Sequence, residues 1–122
     1  MFNFFLVFLG GGMGSIIRYS IALLLARNAA ATTFPFATLI ANTLACFVMG
    51  AVLGLFTTGQ ISESRKLLLL TGFCGGFSTF STFTAETIAL AESGPWWVAA
   101  FNIVGNMLLC VVALLLGLRL CS

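Results

Sequence analysis

An all-α membrane protein of four transmembrane helices, the third of them broken in mid-membrane, is the fold class this sequence predicts. Three observations lead there. Of its 122 residues 61% are hydrophobic and only 7% are charged, whereas a soluble domain carries roughly 25% charged residues to keep its surface wet. Four apolar windows are each long enough for the hydrocarbon core, which takes about 20 helical residues. The third window combines adjacent glycines with a crowd of hydroxyl side chains at its middle.

The first window covers residues 2–26. Phe2 to Leu9 followed by Gly10, Gly11 and Gly12 has the outline of a signal peptide. No Lys or Arg precedes the apolar run, however, and apolar sequence continues past the glycines to Ala26, so it reads as a retained span. The second window is 36–56, the third 67–91 and the fourth 97–118, joined by connectors at 27–35, 57–66 and 92–95. Pro35 and Pro95 stand just ahead of the following span, where a missing backbone donor costs nothing. Trp96 and Trp97 fall at a headgroup level, as interfacial aromatics do. The chain reads as one four-span domain, 1–122, with nothing appended.

An even number of spans puts both termini and the middle connector on one side, with Arg65, Lys66 and Arg119; the other side has Arg27, and Arg18 lies within the first span. That is a small bias under the positive-inside rule, compatible with insertion either way up. Gly10 with Gly14, and Gly50 with Gly54, have the spacing that lets membrane helices approach closely. The first pair is not a nucleotide loop, since no Lys-Ser/Thr follows it and no strand precedes it.

Composition removes several function classes. There is no histidine and no aspartate, so most metal ligands and general bases are missing. No nucleophile–base pair can be assembled, which argues against an enzyme. A net charge of +2 is too small for nucleic acid. Cys46, Cys74, Cys110 and Cys121 form no CxxC pair and read as small buried hydrophobes.

The third span carries the chemistry. From Thr71 to Thr87 it holds seven hydroxyl residues, four phenylalanines, and Gly75-Gly76 side by side. Freed backbone groups at membrane depth are tolerated only where protein or a water-filled cavity covers them. The glycine pair is therefore the expected break, and this segment the functional core. If helix resumes afterwards, Thr79, Thr82 and Glu86 fall on one face and form a polar stripe ending in a carboxylate. Phe77, Phe80 and Phe83 are offset from it. A phenyl edge carries the positive end of the ring quadrupole and can face an anion without holding it too tightly. Asn42 in the second span, and Asn102 and Asn106 four apart on the fourth, are either interhelical glue or pore donors. Arg18 and Glu86 are charges within spans and so candidate partners for one another.

These residues resemble a known family. Gly72-Phe73-Cys74-Gly75-Gly76-Phe77-Ser78-Thr79-Phe80-Ser81-Thr82-Phe83, with Glu86 beyond, is similar to the signature of the Fluc (also called CrcB) fluoride channels. Gly11-Gly12-Met13-Gly14 to Arg18, and Thr38-Leu39-Ile40-Ala41-Asn42, resemble that family's other two motifs. The likeness covers essentially the whole chain. It implies a multi-pass protein of the bacterial inner membrane, paired with a second copy of itself or a close paralogue in antiparallel orientation, with two fluoride pores along the interface. Phe80 and Phe83 match the family's pore phenylalanines, Asn42 its pore asparagine, and Ser81 and Thr82 hydroxyls near the pathway. Gly75 and Ser78 match positions whose backbone carbonyls hold a structural sodium ion shared between subunits. Ser78 stands where many relatives have threonine, which a backbone ligand tolerates. Asn106 matches a polar fourth-span residue at the pore entrance. Cys110 replaces a usual serine and Leu114 a frequent threonine of that track.

The activity implied is passive and downhill, exporting fluoride from the cytoplasm and so relieving its toxicity. Fluoride is small and strongly hydrated, so donors must replace its water: the Asn42 amide, the hydroxyls of Thr79, Ser81 and Thr82, and the ring edges of Phe80 and Phe83. Two rival classes fit the residues less well. A small multidrug exporter relies on a glutamate in its first span, where this chain has Arg18. A non-transporting assembly subunit would not need a polar, aromatic, interrupted span.

Overall fold

A computed structural model describes residues 1–28 and 33–122. The first predicted connector therefore lies partly outside the described residues. Helix α1 runs Phe2–Asn28 and α2 Phe36–Thr57. The third span, Glu63–Ser93, is composite. It comprises α3 (Glu63–Lys66), a π-helical stretch Leu67–Cys74, the short α4 (Gly75–Phe77), an extended step, and α5 (Phe80–Ser93). Helix α6 is Trp96–Cys121. Four spans are long and apolar enough to cross a membrane, and α1 passes through its glycine cluster without interruption.

The start signals are those the sequence supplies. Pro35 and Pro95 occupy the N-cap positions of α2 and α6, and Ser62 caps α3 by accepting from the Arg65 amide. The third span begins four residues earlier than its apolar window because Glu63, Arg65 and Lys66 form a polar first turn. Lys66 Nζ pairs with Glu63 Oε2 at 3.3 Å and lies 3.8 Å from the Phe56 ring centroid.

Two parallel helix seams hold the chain together. In one, α1 lies against the π-helical stretch and α4. A Cβ on Gly10 would collide with the Leu68 carbonyl, one on Gly14 with that of Phe73, and one on Gly76 with that of Gly11. In the other, α2 lies against α6. A Cβ on Gly50 would strike the Leu114 carbonyl, and one on Gly117 that of Phe47. Both glycine pairs expected from spacing are thus intrachain seams, and in lipid such close backbone contact replaces the hydrophobic driving force. Ala41, Ala45 and Phe77 form the buried centre between the seams.

The break falls somewhere other than expected. Gly75 is helical (φ −63°, ψ −36°), whereas Ser78 (φ −80°, ψ 156°) and Thr79 (φ −149°, ψ 119°) are extended. The glycine pair divides into two roles. Gly76 permits contact with α1, and Gly75 has open space where its Cβ would be. Glycine is there for approach, and the hydroxyl residues two positions on make the interruption.

Candidate functional site

The extended step strips Thr79 of ordinary helical hydrogen bonds, so its backbone groups need other partners. Asn42 on α2 supplies them. Its Oδ1 accepts from the Thr79 amide at 2.9 Å and its Nδ2 donates to the Thr79 carbonyl at 3.4 Å. Asn42 thus pairs with the exposed peptide much as a neighbouring strand would. The Thr79 hydroxyl then caps α5, accepting from the Thr82 amide at 3.3 Å and donating to Thr82 Oγ1 at 3.1 Å. Ser81 Oγ lies 3.2 Å from the same hydroxyl. On the helical side Ser78 bonds back to the Cys74 carbonyl through both its amide and its hydroxyl, each at 3.0 Å.

Two cavities meet at Thr79. The larger, about 750 Å³, is bordered by Asn42, Ser78, Thr79, Phe80, Phe83 and Asn106 among others. The Phe80 and Phe83 rings stand 5.9 Å apart at 44°, and Phe80 is 79% exposed. The Asn106 side chain is buried; its Oδ1 accepts from Asn42 Nδ2 at 3.4 Å and from the Cys110 thiol at 3.6 Å. Its Nδ2 has no partner among the described residues. A buried amide donor left unpaired is costly, by roughly 1–3 kcal/mol, and this one belongs to a residue lining the larger cavity.

The smaller cavity, about 200 Å³, is bordered by Arg18, Tyr19, Thr38, Thr79, Thr82 and Glu86, with Ala22 and Ala37. The predicted stripe of Thr79, Thr82 and Glu86 is therefore one wall. Arg18 and Glu86 share this cavity but form no ion pair; the one salt bridge among the described residues is Lys66–Glu63. Glu86 Oε1 accepts from Thr38 Oγ1 at 2.9 Å, while Glu86 Oε2 and Arg18 Nε are buried without partners among the described residues.

Of the residues singled out by sequence, the larger cavity collects Asn42, Ser78, Thr79, Phe80, Phe83 and Asn106, and the smaller collects Arg18, Thr38, Thr82 and Glu86. Ser81 and Gly75 are exposed and border neither. Asn42 proves to be interhelical glue as well as cavity lining, and Asn102, fully buried, is glue through Nδ2 to Thr87 Oγ1 at 2.8 Å. Sequence reasoning missed Tyr19 and Thr87 as lining residues; they directly follow Arg18 and Glu86, which it chose, a signal usable only once the facing helix is known. No cluster of metal-ligating side chains exists among the described residues. Among these residues no hydrogen bond reaches the carbonyl oxygens of Gly75 or Ser78, the two atoms expected to hold sodium. Open, unpartnered carbonyls beside a helix break fit a hard monovalent cation.

Four spans with a broken third helix and polar groups held at its break define a multi-pass membrane protein. The comparisons narrow the class. The model of the CrcB-like protein family (camphor resistance, CrcB) matches residues 5–118. A fluoride-specific ion channel FluC of Shewanella sp. (strain ANA-3) is 40% identical over 120 residues, covering 98% of this chain and 96% of that one. A FluC of Pyrococcus horikoshii is 43% identical over 113 residues, covering 92% and 89%, and one of Paramagnetospirillum magneticum 39% over 124, covering 96% and 93%. The chain belongs to the CrcB family.

Proposed function

We propose that this chain is a fluoride-selective passive channel of the inner membrane, releasing fluoride from the cytoplasm without an energy-coupled step. The observation that carries this reading is the buried Asn106 amide, an unpaired N–H donor belonging to a cavity that also contains two phenyl rings and no acidic side chain. An anion is the partner such a donor lacks. Because fluoride is small, the Asn106 N–H in the larger cavity and the Thr82 hydroxyl in the smaller one can each replace part of its hydration at successive points, with Thr79, whose own hydroxyl proton goes to Thr82, between them. The edges of Phe80 and Phe83 add weak positive potential that does not trap it. Larger halides gain less from such donors because their charge is spread over a larger radius. Arg18 and Thr38 supply an electropositive, hydrogen-bonding approach beside Glu86, whose carboxyl Thr38 holds to one side. The membrane potential, worth about 2.3 kcal/mol per charge per 100 mV, drives the anion outward.

We propose further that a second copy of the chain or a close paralogue packs in antiparallel orientation on the face that carries Phe80, with two pores along the shared face. Gly75 and Ser78 from each subunit would hold a structural sodium ion there. Bound, the ion supplies a fixed positive charge that satisfies carbonyls freed by the break.

The test is fluoride efflux from liposomes containing the purified chain alone, with potassium permeability opened by an ionophore. Fluoride should leave and chloride should not; well-inserted protein with no fluoride efflux would overturn the reading. Activity from this single species also answers whether a paralogue is needed.

A further inference from the structure

The α2–α6 seam has a periodicity that the proposed conduction does not use. Asn42 bonds to Asn106, 64 residues away. At that same separation Gly50 meets Leu114 and Gly54 meets Leu118, two and three turns further along. Parallel helices in fixed register repeat their pairing every turn, so the intervening rung places Cys46 opposite Cys110. The structure agrees. Both thiols are free and half-buried, and both border the larger cavity. Cys74, by contrast, is fully buried, and Cys121 lies at the far end of α6.

We propose that Cys46 and Cys110 form a two-coordinate site for a soft, thiophilic cation of the Hg(II) class, and that its occupation obstructs the cavity. Two facing sulfurs on separate rigid helices suit an ion that takes two thiolates in a line. Hard cations, and zinc with its preference for four ligands, find too few donors here. Neutral mercuric chloride can enter an apolar cavity. Two S–H bonds and two Hg–Cl bonds then break, two Hg–S bonds form, and two protons and two chloride ions leave. No electron changes hands. Binding removes the thiol proton that Cys110 gives to Asn106 Oδ1, and it leaves a heavy, immobile group beside Asn106 and Asn42. The obstruction rests on the channel reading; the binding does not.

The experiment treats the full-length chain with mercuric chloride and reads two quantities. In detergent, the thiolate-to-mercury charge-transfer absorption and the intact mass report binding; in liposomes, fluoride efflux reports obstruction. The native chain should take up one mercury per chain with the ultraviolet band of a dithiolate, and efflux should stop and return on adding excess dithiothreitol. Cys46→Ala and Cys110→Ser should each lose the dithiolate band, and the ratio of treated to untreated efflux within each variant should stay near unity. Cys121→Ser should behave as the native chain. An undiminished band in the Cys46→Ala, Cys110→Ser double variant, or mercury that cross-links two chains, would overturn the site. Binding without loss of efflux would overturn the obstruction. A native chain that shows the band but never conducts fluoride would refute the channel reading while upholding the thiol site.

Discussion

The two seams are built by one device and end differently. Each is a pair of parallel helices with glycines on one face and carbonyls of the partner where a side chain would have been. The α2–α6 seam continues uninterrupted from Asn42–Asn106 to Gly54 and Cys121. The α1 seam reaches Gly14 and Ser15, where Ser15 Oγ donates to the Gly76 carbonyl at 3.4 Å, and there its partner helix stops. Past Thr79 the chain restarts as α5 and packs chiefly on α6. The continuous seam holds Asn42 and Asn106 in place, and the interrupted one brings Thr79, Phe80 and Phe83 to them. Asn42 joins them, sitting on the rigid seam while satisfying the broken one.

That contrast can be broken first at the continuous seam. Gly50→Val should be the most damaging change, because the clash is with the backbone of Leu114, which cannot rotate away. A loss above about 3 kcal/mol is expected, read as failure to recover monodisperse protein in detergent. Asn42→Leu comes next. It leaves the Thr79 N–H and C=O unpaired at membrane depth, costing roughly 1–3 kcal/mol for each, and thermal unfolding in detergent should show it. Phe80→Ile tests the delivered groups rather than the scaffold. The ring is largely exposed on the single chain, so the fold should persist while fluoride efflux falls by at least about tenfold, a barrier increase near 1.4 kcal/mol; unchanged efflux would remove Phe80 from the pathway.

Smaller effects sharpen the picture. Thr38→Val removes the hydrogen bond to Glu86 and should lower stability by about 1 kcal/mol. Gly75→Val should leave the chain's own stability within about 0.5 kcal/mol, since nothing stands near its Cβ. If a second copy covers Gly75, the same change will instead disperse the dimer in size-exclusion chromatography. A Gly75 variant that destabilises the isolated chain would place the break's strain back at the glycines.

Much of this was legible beforehand. Four spans, the proline-led starts of α2 and α6, and both glycine seams follow from apolar length, missing backbone donors and four-residue spacing, all local properties. The stripe of Thr79, Thr82 and Glu86 was equally legible, because helical periodicity alone sets which residues share a face. The position of the break was not. Intrinsic propensity points to Gly75-Gly76, but a glycine whose backbone is pressed against Gly11 gains more from packing than it loses in flexibility. The interruption moves to Ser78–Thr79, where hydroxyls and the Asn42 amide can satisfy the freed peptide groups.

What the residues alone determined is therefore the solvent of this protein, its number of spans, and the stretch in which polar chemistry must lie, because each depends on composition and spacing along one helix. Tertiary structure decided which helix each polar group faces. Asn42 met Thr79 and not lipid, Arg18 and Glu86 shared a cavity without pairing, and Cys46 came opposite Cys110. Those outcomes depend on the register between helices, and register is set by backbones in contact, which no single helix encodes.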